Sequence, residues 1–153
     1  MFNGQISIVE AHPRLLAAVR VRILLARWPR EFRKSLDKVY EAVRAGQVKQ
    51  DGHNVMVYRP REDGLTDIEC GVDVAAKFEE IGEVVNSETP GGPAVTIAHI
   101  GPYDQLGASH RAMVDWCRHN GHRLTGVCWE IYGDWDEDPA KLRTDLFHLL
   151  ASK

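Results

Sequence analysis

Structural punctuation repeats once along this 153-residue chain, and that repeat constrains the fold more than any other feature. Gly46 and Gly121, each suited to stop a helix, stand 75 positions apart. Tyr58 and Tyr132, each in a run of strand-forming residues, stand 74 apart. In the first half, Leu15 to Ile23 places Leu15, Ala17, Val19 and Val21 on one face and Arg20 and Arg22 on the other, which predicts a half-buried strand. A helix follows between Pro29 and Gly46, with Phe32, Leu36, Val39, Tyr40 and Val43 as its apolar stripe. Strands over 54–59 and 68–74 then flank a polar turn at Asp63-Gly64.

The second half repeats this order: a strand over 94–100, then a helix between Pro102 and Gly121 with Leu106, Met113, Trp116 and Cys117 inward. Strands over 127–132 and 143–150 complete it. The reading is one domain over 1–153, with pseudo-repeats at about 14–74 and 94–150 and a polar linker at about 75–93. Each repeat is strand–helix–strand–strand, and each leaves an apolar sheet face and edge uncovered. Two copies joined edge to edge predict an α+β fold: one antiparallel sheet, both helices on one face, and a ligand groove on the other.

Composition narrows the function. Hydrophobic residues at 44% and charged residues at 27% are ordinary for a globular protein. A net charge of −3 provides no electrostatic footprint for nucleic acid, so no direct DNA binding is expected. No apolar run spans a membrane and no secretory signal opens the chain. Three widely spaced cysteines point to reduced thiols in a cytoplasmic protein. Only about 14 residues precede the first predicted strand, too few for a helix-turn-helix domain.

Glu130 is the first candidate for chemistry. It lies in the strand Cys128-Trp129-Glu130-Ile131-Tyr132, whose alternation sends Cys128, Glu130 and Tyr132 to one face and Trp129 and Ile131 to the other. A carboxylate among such neighbours needs a cation, a donor or a proton, unless it simply points into water. By repeat register Glu130 aligns with Met56 and Tyr132 with Tyr58. With Trp129 and Ile131 turned to the helices, these four line the groove and suit a flat, apolar or cationic organic molecule.

The remaining polar residues are weaker candidates. Tyr103 either caps the groove or staples its helix. His99 reads as a core histidine, and His119 and His122 flank a helix end without further ligands, so no metal and no cofactor is expected. Cys128 reads as structural, with no histidine placed to activate it. Glu69, Asp73 and Asp145 either add negative charge to the groove or are solvated.

Ile97-Ala98-His99-Ile100-Gly101-Pro102-Tyr103, Trp116, Asn120-Gly121, Trp129-Glu130-Ile131-Tyr132 and Leu142-Arg143-Thr144-Asp145 together resemble the GyrI-like small-molecule-binding domains. The resemblance spans about residues 14–150 and implies the same paired fold. It implies that Glu130 takes the place of the family's pocket glutamate and that Tyr132 matches the motif's tyrosine; the expected ligand-binding set is completed by Tyr58 and Met56 from the repeat register, and by Tyr103 and Trp129. Three functions follow. The chain binds hydrophobic or cationic compounds, or hydrolyses strained cyclopropane-bearing electrophiles with Glu130 and Tyr132 as catalytic pair, or docks a protein as gyrase inhibitors do. For the last, the acidic run around Trp135 is the candidate surface. An open sheet edge permits a homodimer, and a separate regulator is the other expected partner.

Overall fold

The computed structural model describes residues 5–152. In chain order it contains β1 (Ser7–Ala11), β2 (Leu15–Ile23), α1 (Trp28–Arg44), β3 (Gln50–Pro60), β4 (Thr66–Val74) and β5 (Val84–Glu88). There follow β6 (Gly92–Ile100), α2 (Leu106–His119), β7 (Leu124–Tyr132) and β8 (Arg143–Leu150). The chain divides into two compact units: Pro13–Thr89, and Pro90 onward joined by the stretch that ends at His12. The first unit is an antiparallel sheet in the order β3-β4-β2-β5, carrying α1; the second runs β1-β6-β8-β7 and carries α2. This is the α+β class and the duplication that the repeat predicts. Among the described residues, no helix is long and apolar enough to cross a membrane.

Two short strands lie where none is expected. β5 sits inside the predicted linker, and β1 precedes the first predicted strand. Each has only five residues, too few for a period-2 pattern to register. Their pairing exchanges the repeats: β1 precedes β2 but pairs with β6, while β5 precedes β6 but pairs with β2. The result covers the outer edge of β2 and of β6 with a backbone ladder.

The helices stop as expected. Gly46 and Gly121 adopt φ of 75° and 74°, the left-handed conformation that ends a helix at little cost in glycine. Pro29 lies in the first turn of α1, whereas Pro102 caps a single 3₁₀ turn, Tyr103–Gln105, that leads into α2. Small residues set the closest approach to the sheet. α1 buries Ser35, Val39 and Ala42, and α2 buries Ser109, Met113 and Cys117. In the first unit Val39 and Ala42 pack on Val19, Val72 and Val74; in the second Met113 and Cys117 pack on Ile97, Leu146 and Leu150.

The ladder registers decide which residues face those helices, because directly opposed residues share a face. Glu130 opposes Leu146, Tyr132 opposes Thr144 and Cys128 opposes His148. Met56 likewise opposes Cys70, and Asn54, which accepts a hydrogen bond from the α1 residue Tyr40, opposes Val72. Glu130, Tyr132, Met56 and Tyr58 therefore lie on the helix-bearing faces, not on the bare faces as expected. Trp129 turns the other way, stacks on Phe147 with ring centroids 5.1 Å apart, and is 2% exposed. Alternation establishes which residues share a face; it does not say which face the helix covers, and the bulkier pair does not decide it.

Gly71 marks the tightest strand approach. A Cβ built there would stand 1.8 Å from the Ala17 carbonyl oxygen, a backbone atom of the neighbouring strand. Gly71→Ala is expected to cost about 1–3 kcal/mol, the usual penalty for forcing atoms into a filled core. Urea unfolding should show the midpoint fall at constant slope.

Candidate functional site

The second unit holds a polar cluster in the layer between α2 and its sheet. β7 contributes Cys128, Glu130 and Tyr132, β8 contributes His148, and α2 contributes His110 one turn after the buried Leu106. The Tyr132 hydroxyl donates to Glu130 Oε1 at 2.8 Å, and His110 Nε2 lies 2.8 Å from Glu130 Oε2. His110 Nδ1 in turn lies 2.8 Å from His148 Nε2, the two rings meeting edge to face. A continuous chain of polar groups thus runs Tyr132–Glu130–His110–His148.

Glu130 is 5% exposed, yet both carboxylate oxygens have partners, which is the condition for keeping a buried acid. Burial pushes His148 down to about 4, helped by the neighbouring His110 and opposed by Glu130, so its ring is neutral at pH 7. Burial, and then the charge of Glu130, push the Cys128 thiol up to about 12. The Cys128 Sγ nevertheless lies within 4.8 Å of the facing histidine nitrogens. Opposite Tyr132, the Thr144 hydroxyl is fully buried and has no hydrogen-bond partner among the described residues, an uncommon state for a buried oxygen.

The sister unit shows that the fold does not require these groups. Matching β3–β4 to β7–β8 places Met56 at Glu130, Val72 at His148 and Asn54 at Cys128. The buried serines Ser35 and Ser109, 74 apart, place Leu36 at His110. A layer that is largely apolar in one unit is ionic and imidazole-rich in the other. Polar residues retained where the same backbone accepts Leu, Met and Val are a functional signal.

The other candidates disperse. Tyr103, 39% exposed, meets the Tyr132 ring at 77° with centroids 5.4 Å apart, so it both borders the cluster and staples the turn before α2. Met56 and Tyr58 belong to the first unit, where the Tyr58 hydroxyl donates to Met56 Sδ at 3.4 Å. Glu69 and Asp73 are neutralised in that unit: Arg20 and Arg59 pair with Glu69, and Arg14 grips Asp73 through two nitrogens. A cleft of about 740 Å³ there is lined by Arg20, Arg22, Arg59, Asp67, Glu69 and Glu88, with Asp67 and Glu69 already paired to arginines. Asp145 pairs with Arg143. His99 is a core residue, bonded to Ser109 and the Pro102 carbonyl, and His122 stacks on Trp116. Trp135, at 74%, is strongly exposed.

His110 and His148 are the residues that sequence reasoning missed, and they supply the histidines that Cys128 was expected to lack. His148 sits two residues from both Leu146 and Leu150 on the inward face of β8. A histidine alternating with buried leucines is the available signal. His110 carries the helical counterpart of that signal, four residues after Leu106 and three before Met113 at amphipathic spacing.

Comparison with known proteins places the fold. The model of the GyrI-like small molecule binding domain matches residues 32–150. No curated protein matches the sequence. Among solved structures, the EcmrR C-terminal domain is similar at TM-score 0.77 and 18% identity, over 98% of this chain and 99% of that one. In an EcmrR–DNA complex the match takes in 58% of the EcmrR chain. SAV2435 bound to tetraphenylphosphonium is similar at TM-score 0.70 and 9% identity, over 97% and 94%. A hydrolase from Listeria innocua is similar at TM-score 0.55 and 13% identity, over 96% and 92%.

The neutral His148 has a pH signature. Its folded value is depressed from 6.5 to about 4, so between those limits the unfolded chain takes up a proton that the folded chain refuses. Stability should therefore fall as pH drops through this window, by up to about 1.4 kcal/mol per pH unit. Urea midpoints measured in EDTA at pH 7 and pH 5 should fall less for His148→Val than for the wild type.

Proposed function

We propose that this chain, which belongs to the GyrI-like small molecule binding domain family, captures lipophilic organic cations at Glu130. The observation that carries the reading is one buried carboxylate, 5% exposed, at a position where the sister unit has Met56. A delocalised cation is weakly hydrated, so it loses little on leaving water and gains most from a charge held in a low-dielectric layer. Tyr132 orients the acid through its hydroxyl, and Tyr103 offers a half-open aromatic wall beside it. The relative bound to tetraphenylphosphonium supports this ligand class.

Tetraphenylphosphonium and the neutral triphenylphosphine oxide make a matched pair of probes. Tryptophan quenching should show saturable binding that favours the cation. Glu130→Gln should weaken the cation by about 1–3 kcal/mol, roughly 5- to 150-fold in Kd, and leave the neutral compound unchanged. Equal loss for both probes, or none, would overturn the role of the charge.

The His110–Glu130 contact favours a second reading, hydrolysis of a strained electrophile. An imidazole 2.8 Å from a carboxylate is an arrangement for moving a proton to or from attacking water. One fold relative is a hydrolase. On this reading a cyclopropane-bearing alkylating agent is turned over by the wild type, and both Glu130→Gln and His110→Asn lose roughly 100-fold or more in rate. Saturable binding without turnover would restrict the protein to capture.

A further inference from the structure

We infer that His110, His148 and Cys128 form a binding site for a thiophilic divalent cation of the zinc class. Their donor atoms, two imidazole nitrogens and one sulfur, all lie within 4.8 Å of one another, and the nitrogens are 2.8 Å apart. Bonds of about 2.1 Å to nitrogen and 2.3 Å to sulfur hold neighbouring donors of a tetrahedral ion about 3.3–3.6 Å apart. Two histidine rotamers and one thiol need to shift by about an ångström or less on average to reach that geometry. The donors stand on α2, β7 and β8, and Cys128 and His148 are directly opposed in the ladder, so the backbone already brings them together.

The surrounding shell fits the same purpose. Glu130 Oε2 binds His110 Nε2, which places the proton there and leaves Nδ1 as the lone pair that faces His148 and Cys128. A carboxylate behind a histidine is the common outer partner of a metal-bound imidazole. The His110 side chain is 20% exposed, which supplies a route in, and three protein donors leave a fourth position for water or a ligand. Two imidazoles and a sulfur suit zinc and disfavour calcium or magnesium, which take oxygen donors. The sister unit has Leu36, Val72 and Asn54 at these positions, so the fold does not demand the set.

On binding, the thiol releases its proton to solvent, and the proton that His148 Nε2 shares with His110 Nδ1 is exchanged through solvent to His148 Nδ1, so that both facing nitrogens and the sulfur offer lone pairs to the metal; no oxidant or reductant is needed. The inference is independent of organic-cation capture: there Glu130 meets the ligand, whereas here it is a positioning residue behind His110.

Cobalt(II) titration of the untagged full chain, stripped with EDTA and reduced, tests it. One equivalent should bind, giving the intense visible bands of a tetrahedral ion and a thiolate-to-cobalt charge-transfer band, and zinc should bleach both. Cys128→Ser, nearly equal in volume, should remove the charge-transfer band while circular dichroism and tetraphenylphosphonium binding persist. Glu130→Gln should retain the bands but weaken cobalt about 10- to 100-fold. His148→Val should abolish tetrahedral binding. No bands with excess cobalt, a pale octahedral spectrum, or bands unchanged in Cys128→Ser would each overturn the site without touching the cation reading.

Discussion

One helix packed on one face of a four-stranded sheet is the constraint on which each unit depends. A strand has two faces, and the helix makes one of them dry. In the first unit that layer is built largely from valines against Val39 and Ala42, with the Tyr40–Asn54 hydrogen bond at its margin. In the second the same layer must accommodate Glu130, His110 and His148. The carboxylate there needs partners, since a bare buried charge costs several kcal/mol. The Tyr132–Glu130–His110–His148 chain is the consequence: placing the carboxylate in the dry layer dictates what stands beside it.

The two units solve the buried-acid problem differently. In the first, Glu69 and Asp73 are held by arginines that keep substantial contact with water. Such pairs are strongly bound and leave little charge for a ligand. In the second, Glu130 is held by a phenol and an imidazole, a softer arrangement. A hydroxyl donor orients a carboxylate without cancelling its charge, and imidazole is the side chain whose proton moves most readily near neutral pH. The arrangement that holds the acid at rest is thus compatible with the proposed capture of an organic cation.

The two proposed activities and the proposed metal site would draw on that one network at different atoms. Organic-cation capture would use the Glu130 oxygens, with Tyr132 and Tyr103 as walls. Water activation would use the His110–Glu130 contact. Metal binding would use the far side of the His110 ring with His148 and Cys128. Because His110 joins both ends, charge placed at one end is felt at the other within a layer of low dielectric.

Much of the architecture was legible along the chain. The 74- to 75-residue offset, the glycine stops and the period-2 strands predicted the duplication and the α+β class, because side-chain period and helix termination are local properties. Glu130 and Tyr132 stood out for the same reason, as partners on one face of a short aromatic strand. The short β1 and β5 did not, since their pairing with β6 and β2 is a long-range choice that five residues cannot encode in a pattern. Which face the helix covers was equally hidden: alternation is symmetric between the two faces, and only packing breaks the symmetry. His110 and His148 come to Glu130 from 20 and 18 positions away on other elements, so their meeting belongs to the tertiary structure alone. Sequence by itself determined the elements and the acid; the fold decided which groups share the dry layer with it, and hence what that acid can do.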